Sequence, residues 1–78
     1  MIHEVKILSK YLQRIISLEK TFEVRWNDRD YQVGDILHFQ EIREDDKCRD
    51  CSVRRRITYV HQGLGMKDNY VVLGLSYD

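Results

Sequence analysis

The sequence predicts a mainly β domain of the α+β class. It should have one or two helices and several short strands curled into a small closed or nearly closed β-barrel, with an N-terminal helix plugging one end. Three observations predict this. Apolar residues recur at helical spacing only near the N-terminus, where Leu12, Ile15 and Ile16 form a stripe flanked by Tyr11 and Leu18. Elsewhere the apolar pattern is that of short strands separated by polar or glycine-containing turns. With 78 residues and no proline, the chain has room for one domain, spanning 1–78. Closing the strands into a barrel would remove the sticky edges of a short open sheet.

The elements follow in order. Ile2 to Ile7 sets His3, Val5 and Ile7 against Ile2, Glu4 and Lys6, which suits a short strand. Ser9 is a candidate N-cap, and the stripe after it predicts a helix over about 9–18. From Thr21 to Trp26 the period changes to two. Phe22, Val24 and Trp26 point one way and Thr21, Glu23 and Arg25 the other, as in a half-buried strand. Asn27-Asp28-Arg29-Asp30 is a polar loop, and Val33-Gly34-Asp35 is a turn in which Gly34 can take a positive φ. Ile36 to Ile42 follows as a strand. Glu44 to Cys51 reads as a charged connection, expected to be the most mobile part. Ser52 to Val60 is the next strand, His61 to Lys67 a loop, and Tyr70 to Leu75 a nearly all-apolar closing strand.

Composition narrows the function. Thirteen Lys+Arg balance thirteen Asp+Glu, so the overall field is too weak for avid, sequence-blind binding of nucleic acid. If nucleic acid is the ligand, a local pocket must supply the affinity. No apolar run approaches the roughly 20 residues of a membrane span, and the first twenty residues hold no signal-peptide h-region, so no membrane role is expected. Two cysteines, Cys48 and Cys51, are too few for a disulfide scaffold, and the cytoplasm is the expected compartment. A domain this small buries only about 60% of its unfolded surface, so a homodimer is an expected way to cover some of the rest.

The segment with most information is Lys20-Thr21-Phe22-Glu23-Val24-Arg25. Together with His3-Glu4-Val5-Lys6, Asn27-Asp28-Arg29, Val33-Gly34-Asp35-Ile36-Leu37 and the closing Tyr70 to Leu75, it resembles the small bacterial and phage family DUF3850. More broadly it resembles the ASCH branch of the PUA-like superfamily, whose signature runs Gly-x-Lys-x-x-Glu-x-Arg and continues to a Gly-Asp before the next strand. The resemblance covers nearly the whole chain. One departure is that Leu18 stands where the signature has its glycine. The resemblance implies a PUA-like barrel with a cleft between helix and barrel rim that holds RNA or a nucleotide, with no cofactor. Lys20, Glu23 and Arg25 would form its centre, and His3, Lys6, Asn27 and Arg29 its border.

The chemistry of those residues can be argued independently. A guanidinium is a rigid fork suited to phosphate or a base edge, a lysine is a mobile point charge, and a carboxylate accepts from an exocyclic amino group. Glu23 and Arg25 share a strand face, whereas Lys20 has the opposite parity. Lys20 joins them only if it sits on the turn before the regular strand. The plainer alternative is that Glu23 and Arg25 make rim ion pairs with Lys6, Arg29 or Asp35, contributing roughly 0–1 kcal/mol each.

Other signals are weaker. Cys48-x-x-Cys51 has zinc-type spacing but no second ligand pair, so no metal is expected. Arg54 and Arg56 share one strand face and either contact phosphates or form a solvated surface. Tyr31, Tyr59 and Tyr70 are candidates for stacking on a base, or for ordinary packing. A second reading is an enzyme. The ASCH-like acetylcytidine amidohydrolases use a lysine, a threonine and a glutamate in this cleft. Lys20 matches the lysine, but Glu23 occupies the threonine position, so the nucleophile is missing and no catalytic residue is assigned. A third reading is a protein-interaction or regulatory module, which an exposed apolar patch would favour.

Overall fold

In a computed structural model, residues 1–43 and 48–77 are described, the side chains of 48–51 excepted. The order is β1 (Ile2–Leu8), α1 (Ser9–Ile16), β2 (Phe22–Trp26), β3 (Ile36–Ile42), β4 (Cys48–His61) and β5 (Tyr70–Leu75). The strands form one five-stranded sheet in the order β1-β3-β4-β5-β2. β1 runs parallel to β3, and every other neighbouring pair is antiparallel. The sheet curls into a half-barrel, with β1 and β2 as its two free edges.

Period-two alternation sets the interior. Val5, Phe39 and Val53 lie in one cross-strand row and His3, Leu37 and Arg55 in the next. β4 and β5 contribute Ile57, Val71, Leu73 and Leu75, and α1 adds Leu12 and Ile15 from above. The helix packs over β1 and β3. This is the expected mainly β architecture with one helix.

Several local expectations change. β4 already includes Cys48–Cys51, so that stretch is strand instead of connection, and Glu44–Lys47 lie outside the described residues. Ser9 is the first helical residue, not the cap. Leu8 holds the N-cap position without a side-chain hydrogen bond, and the Ser9 hydroxyl donates to Glu41 Oε1 at 2.8 Å and to the Ile42 carbonyl at 3.3 Å. The Glu41 side chain, buried on the inner face of β3, draws that hydroxyl away from the helix end.

The helix stops at Ile16, because Leu18 takes the left-handed conformation with φ 67°. The Leu18 N–H then donates to the Ile15 carbonyl at 3.2 Å, and the Lys20 N–H to the Arg14 carbonyl at 2.9 Å. Such a helix ending is usually built with glycine. Holding an L-residue with a Cβ there costs about 1–2 kcal/mol, while glycine adds about 0.5–1 kcal/mol of unfolded-chain entropy. Leu18 is 46% exposed, so it gains little from packing. Leu18→Gly is therefore expected to stabilise the domain by about 0.5 kcal/mol, read as a rise of a few degrees in Tm.

Candidate functional site

β2 presents a polar side chain to the interior. Glu23 is 5% exposed, while Phe22, Val24 and Trp26 on the alternate positions are about half exposed. The alternation expected for this strand holds, but the buried face is the one carrying Glu23. An isolated carboxylate in such a place is costly, so it needs compensating cations or donors. Glu23 has both: Lys20 Nζ lies 2.6 Å from Oε1 and Arg25 Nε 3.0 Å from Oε2. Lys20 reaches it because β2 begins only at Phe22, leaving Lys20 on the preceding turn, where alternation does not apply.

Arg25 also extends across the open side of the half-barrel, and its Nη2 donates to the Lys6 carbonyl at 2.6 Å. Arg29 Nη1 donates to the Glu4 carbonyl, also at 2.6 Å. These carbonyls belong to the free edge of β1. Two guanidinium groups thus span the gap where no backbone ladder joins β1 to β2 among the described residues, and they occupy acceptors that would otherwise invite another strand.

Above this bridge lies a cleft of about 370 Å³, lined by Lys6, Ile7, Leu8, Tyr11, Lys20, Glu23, Val24, Arg25 and Trp26. The lining carries three cationic residues and one carboxylate, of which Lys20 and Arg25 pair with it, and Tyr11 and Trp26 add two aromatic rings. Lys20 Nζ stands 5.3 Å from the Tyr11 ring centroid and 5.8 Å from that of Phe22, so aromatic faces help to hold the ammonium group. The lining includes no serine, threonine, cysteine or histidine. Glu23 has both oxygens engaged, which is the geometry of a carboxylate that positions its neighbours.

The other expected site residues lie elsewhere. Of the border set, only Lys6 lines the cleft. Arg29 braces the edge of β1. Asn27 donates its backbone N–H to the Asn69 carbonyl and lines a separate hollow beside the 62–70 loop. His3 is 4% exposed, packed edge-on to Tyr31 with centroids 4.8 Å apart, and its Nε2 lies 2.8 Å from Asp35 Oδ2. Tyr31 is a core residue, so of the three tyrosines only Tyr59 and Tyr70 are open for stacking. Burial, and next the Asp28 charge, push the Tyr31 hydroxyl pKa up. The side chains of Cys48 and Cys51 lie outside the described residues. Among the described residues no group of three or more His, Cys, Asp or Glu could hold a metal, and no helix is long and apolar enough to cross a membrane. Sequence reading missed the buried Glu41–Ser9 pair and the role of Arg25 and Arg29 as edge bridges, since neither leaves a pattern along the chain.

Asp35 fastens the start of β3. It accepts from His3, from the Gln32 N–H at 3.1 Å and from the Met1 amino group at 3.1 Å. The His3 hydrogen bond is the largest cause lowering its pKa from 3.8 to about 2. A carboxylate depressed on folding stabilises above its ordinary pKa, and that contribution is lost as pH falls through the folded value. Stability should therefore drop between about pH 4 and 2, and Asp35→Asn should flatten the change. Thermal melts of both proteins across pH 2–5 would check it, since parallel curves would assign the acid loss to other groups.

The family model described as "Domain of unknown function (DUF3850)" matches residues 2–75. No curated protein matches.

Proposed function

Because the chain belongs to the DUF3850 family, whose function is unknown, we propose from the site itself that it is a binding module for RNA or a nucleotide, acting through the cleft between β1, α1 and β2. The observation that carries this reading is a cleft lined by Lys6, Lys20 and Arg25 with a single carboxylate, in a chain of zero net charge. The local excess of cations suits a phosphate, and Tyr11 and Trp26 offer faces to a base. Glu23, buried with both oxygens engaged, sets Lys20 and Arg25 in place. The same reading groups the half-barrel with the ASCH/PUA-like domains and locates its action in the cytoplasm. The hydrolase alternative gains no support, because the lining offers no hydroxyl or thiol nucleophile apart from the Tyr11 phenol.

The test is an NMR titration with mononucleotides and short single-stranded RNAs on wild type, Lys6→Ala and Lys20→Ala. Amide shifts clustered on residues 6–11 and 20–26, and weakened in both variants, are the expected result. An unchanged spectrum with every ligand, from a folded protein, would sink the reading and leave a protein-interaction module as the surviving alternative.

A further inference from the structure

The outward side of β2 continues past the cleft. Phe22, Val24 and Trp26 stand on it beside Gly74, Val72 and Tyr70 of β5, and the next strand adds Tyr59 opposite Gly74 and His61 opposite Val72. The face is aromatic and open: Phe22 is 46% exposed, Trp26 52%, Tyr59 65% and Tyr70 38%. Trp26 and Tyr70 meet edge to face with centroids 5.3 Å apart. Gly74 leaves the middle of the surface bare, where a Cβ would come to 3.2 Å from Tyr59 Cβ. None of these outward positions is acidic.

Cations flank it on two sides. Lys20 and Arg25 lie in the cleft along one margin. On the other, Arg54 and Arg56 are exposed on the outer side of β4, opposite in parity to buried Ile57, and neither forms an ion pair among the described residues. Trp26 belongs to both regions, since it lines the cleft and opens the aromatic face.

We propose that this outer face of β2, β5 and the C-terminal part of β4 is a stacking surface for single-stranded RNA, continuous with the cleft through Trp26. The inference rests on the cleft reading and extends it from one nucleotide to several. An open aromatic sheet face without acidic side chains, between two basic margins, fits bases on the rings and phosphates at the edges, and stacking needs no particular base. The margins complement a polyanion, which favours nucleic acid over an apolar protein surface as the occupant. It also explains how a chain without net charge could hold an extended strand.

Trp26 is the sole tryptophan, so its fluorescence reports on the junction directly. Titrations would compare mononucleotides with oligoribonucleotides from dimer to hexamer in wild type, Tyr59→Ala and Tyr70→Ala. Oligomers are expected to quench Trp26 and to bind about tenfold or more tightly than mononucleotides. Each tyrosine variant should lose about tenfold in oligomer affinity, and Tyr59→Ala, at a position that does not line the cleft, should leave mononucleotide affinity unchanged. Mononucleotide binding with no gain from length overturns the stacking surface and leaves the cleft reading standing. Absence of binding by either ligand removes both. A concentration-dependent dimer in sedimentation, with Trp26 emission shifted to the blue, would assign the face to a second copy of the chain and overturn the proposal.

Discussion

Arg25→Ala is expected to cost about 3 kcal/mol of folding stability and, under the proposed function, to abolish nucleotide binding in the cleft. Its guanidinium makes two bonds that no other residue can replace, one to Glu23 Oε2 and one to the Lys6 carbonyl. Removing one partner of a buried pair generally costs about 3–5 kcal/mol, because the other charge remains buried. Here the Arg25 side chain is 25% exposed and Lys20 stays on Glu23, which brings the figure to the lower end. A domain of this size holds only about 4–12 kcal/mol in all, so the loss is large. Arg25→Lys should fall between, since an ammonium group cannot serve both acceptors. Urea unfolding gives the stability, and a double-mutant cycle with Glu23→Gln isolates the pair. Lys6→Ala separates the roles, because the Lys6 side chain makes neither bond and its loss should weaken binding alone. An Arg25→Ala protein within about 0.5 kcal/mol of wild type, with unchanged nucleotide affinity, would refute both roles.

Much of this architecture was legible along the chain because it depends on local period. The helix over Leu12 and Ile15, the two-residue alternation of β1 and β3, and the apolar run of β5 each announce themselves within a few residues. Gly34 takes the positive φ, 96°, that its turn suggested. The unread parts depend on contacts between segments distant in sequence. Ser9 looks like a cap until Glu41, 32 residues on, claims its hydroxyl. β2 shows its period but not which face is buried, and hydrophobicity points to the wrong one. Glu23 turns inward because Lys20 and Arg25 accompany it, which leaves Phe22, Val24 and Trp26 outside. The candidate centre of Lys20, Glu23 and Arg25 came from the motif and the structure brings those three together. His3, Asn27 and Arg29 came from neighbouring segments of the same resemblance and serve other parts of the fold.

The two phenylalanines turn that lesson into a measurement. Both stand in alternating strands, yet Phe39 is fully buried and Phe22 is about half exposed. Phe39 lies in the inner row between Val5 of β1 and Val53 of β4, beneath the side of the sheet on which α1 packs. Truncating it would open a cavity in the small core that joins helix to sheet, at a cost of about 3–5 kcal/mol. For a domain this small that corresponds to a fall in Tm of roughly 15–30 °C, so Phe39→Ala should be largely unfolded at ordinary temperatures. Phe22→Ala removes only partial burial and should cost about 1 kcal/mol, keeping the fold and the cleft. Calorimetry of both variants decides the matter. Equal losses would mean that the outer face of β2 is covered in solution, and would direct attention from the cleft to whatever covers it.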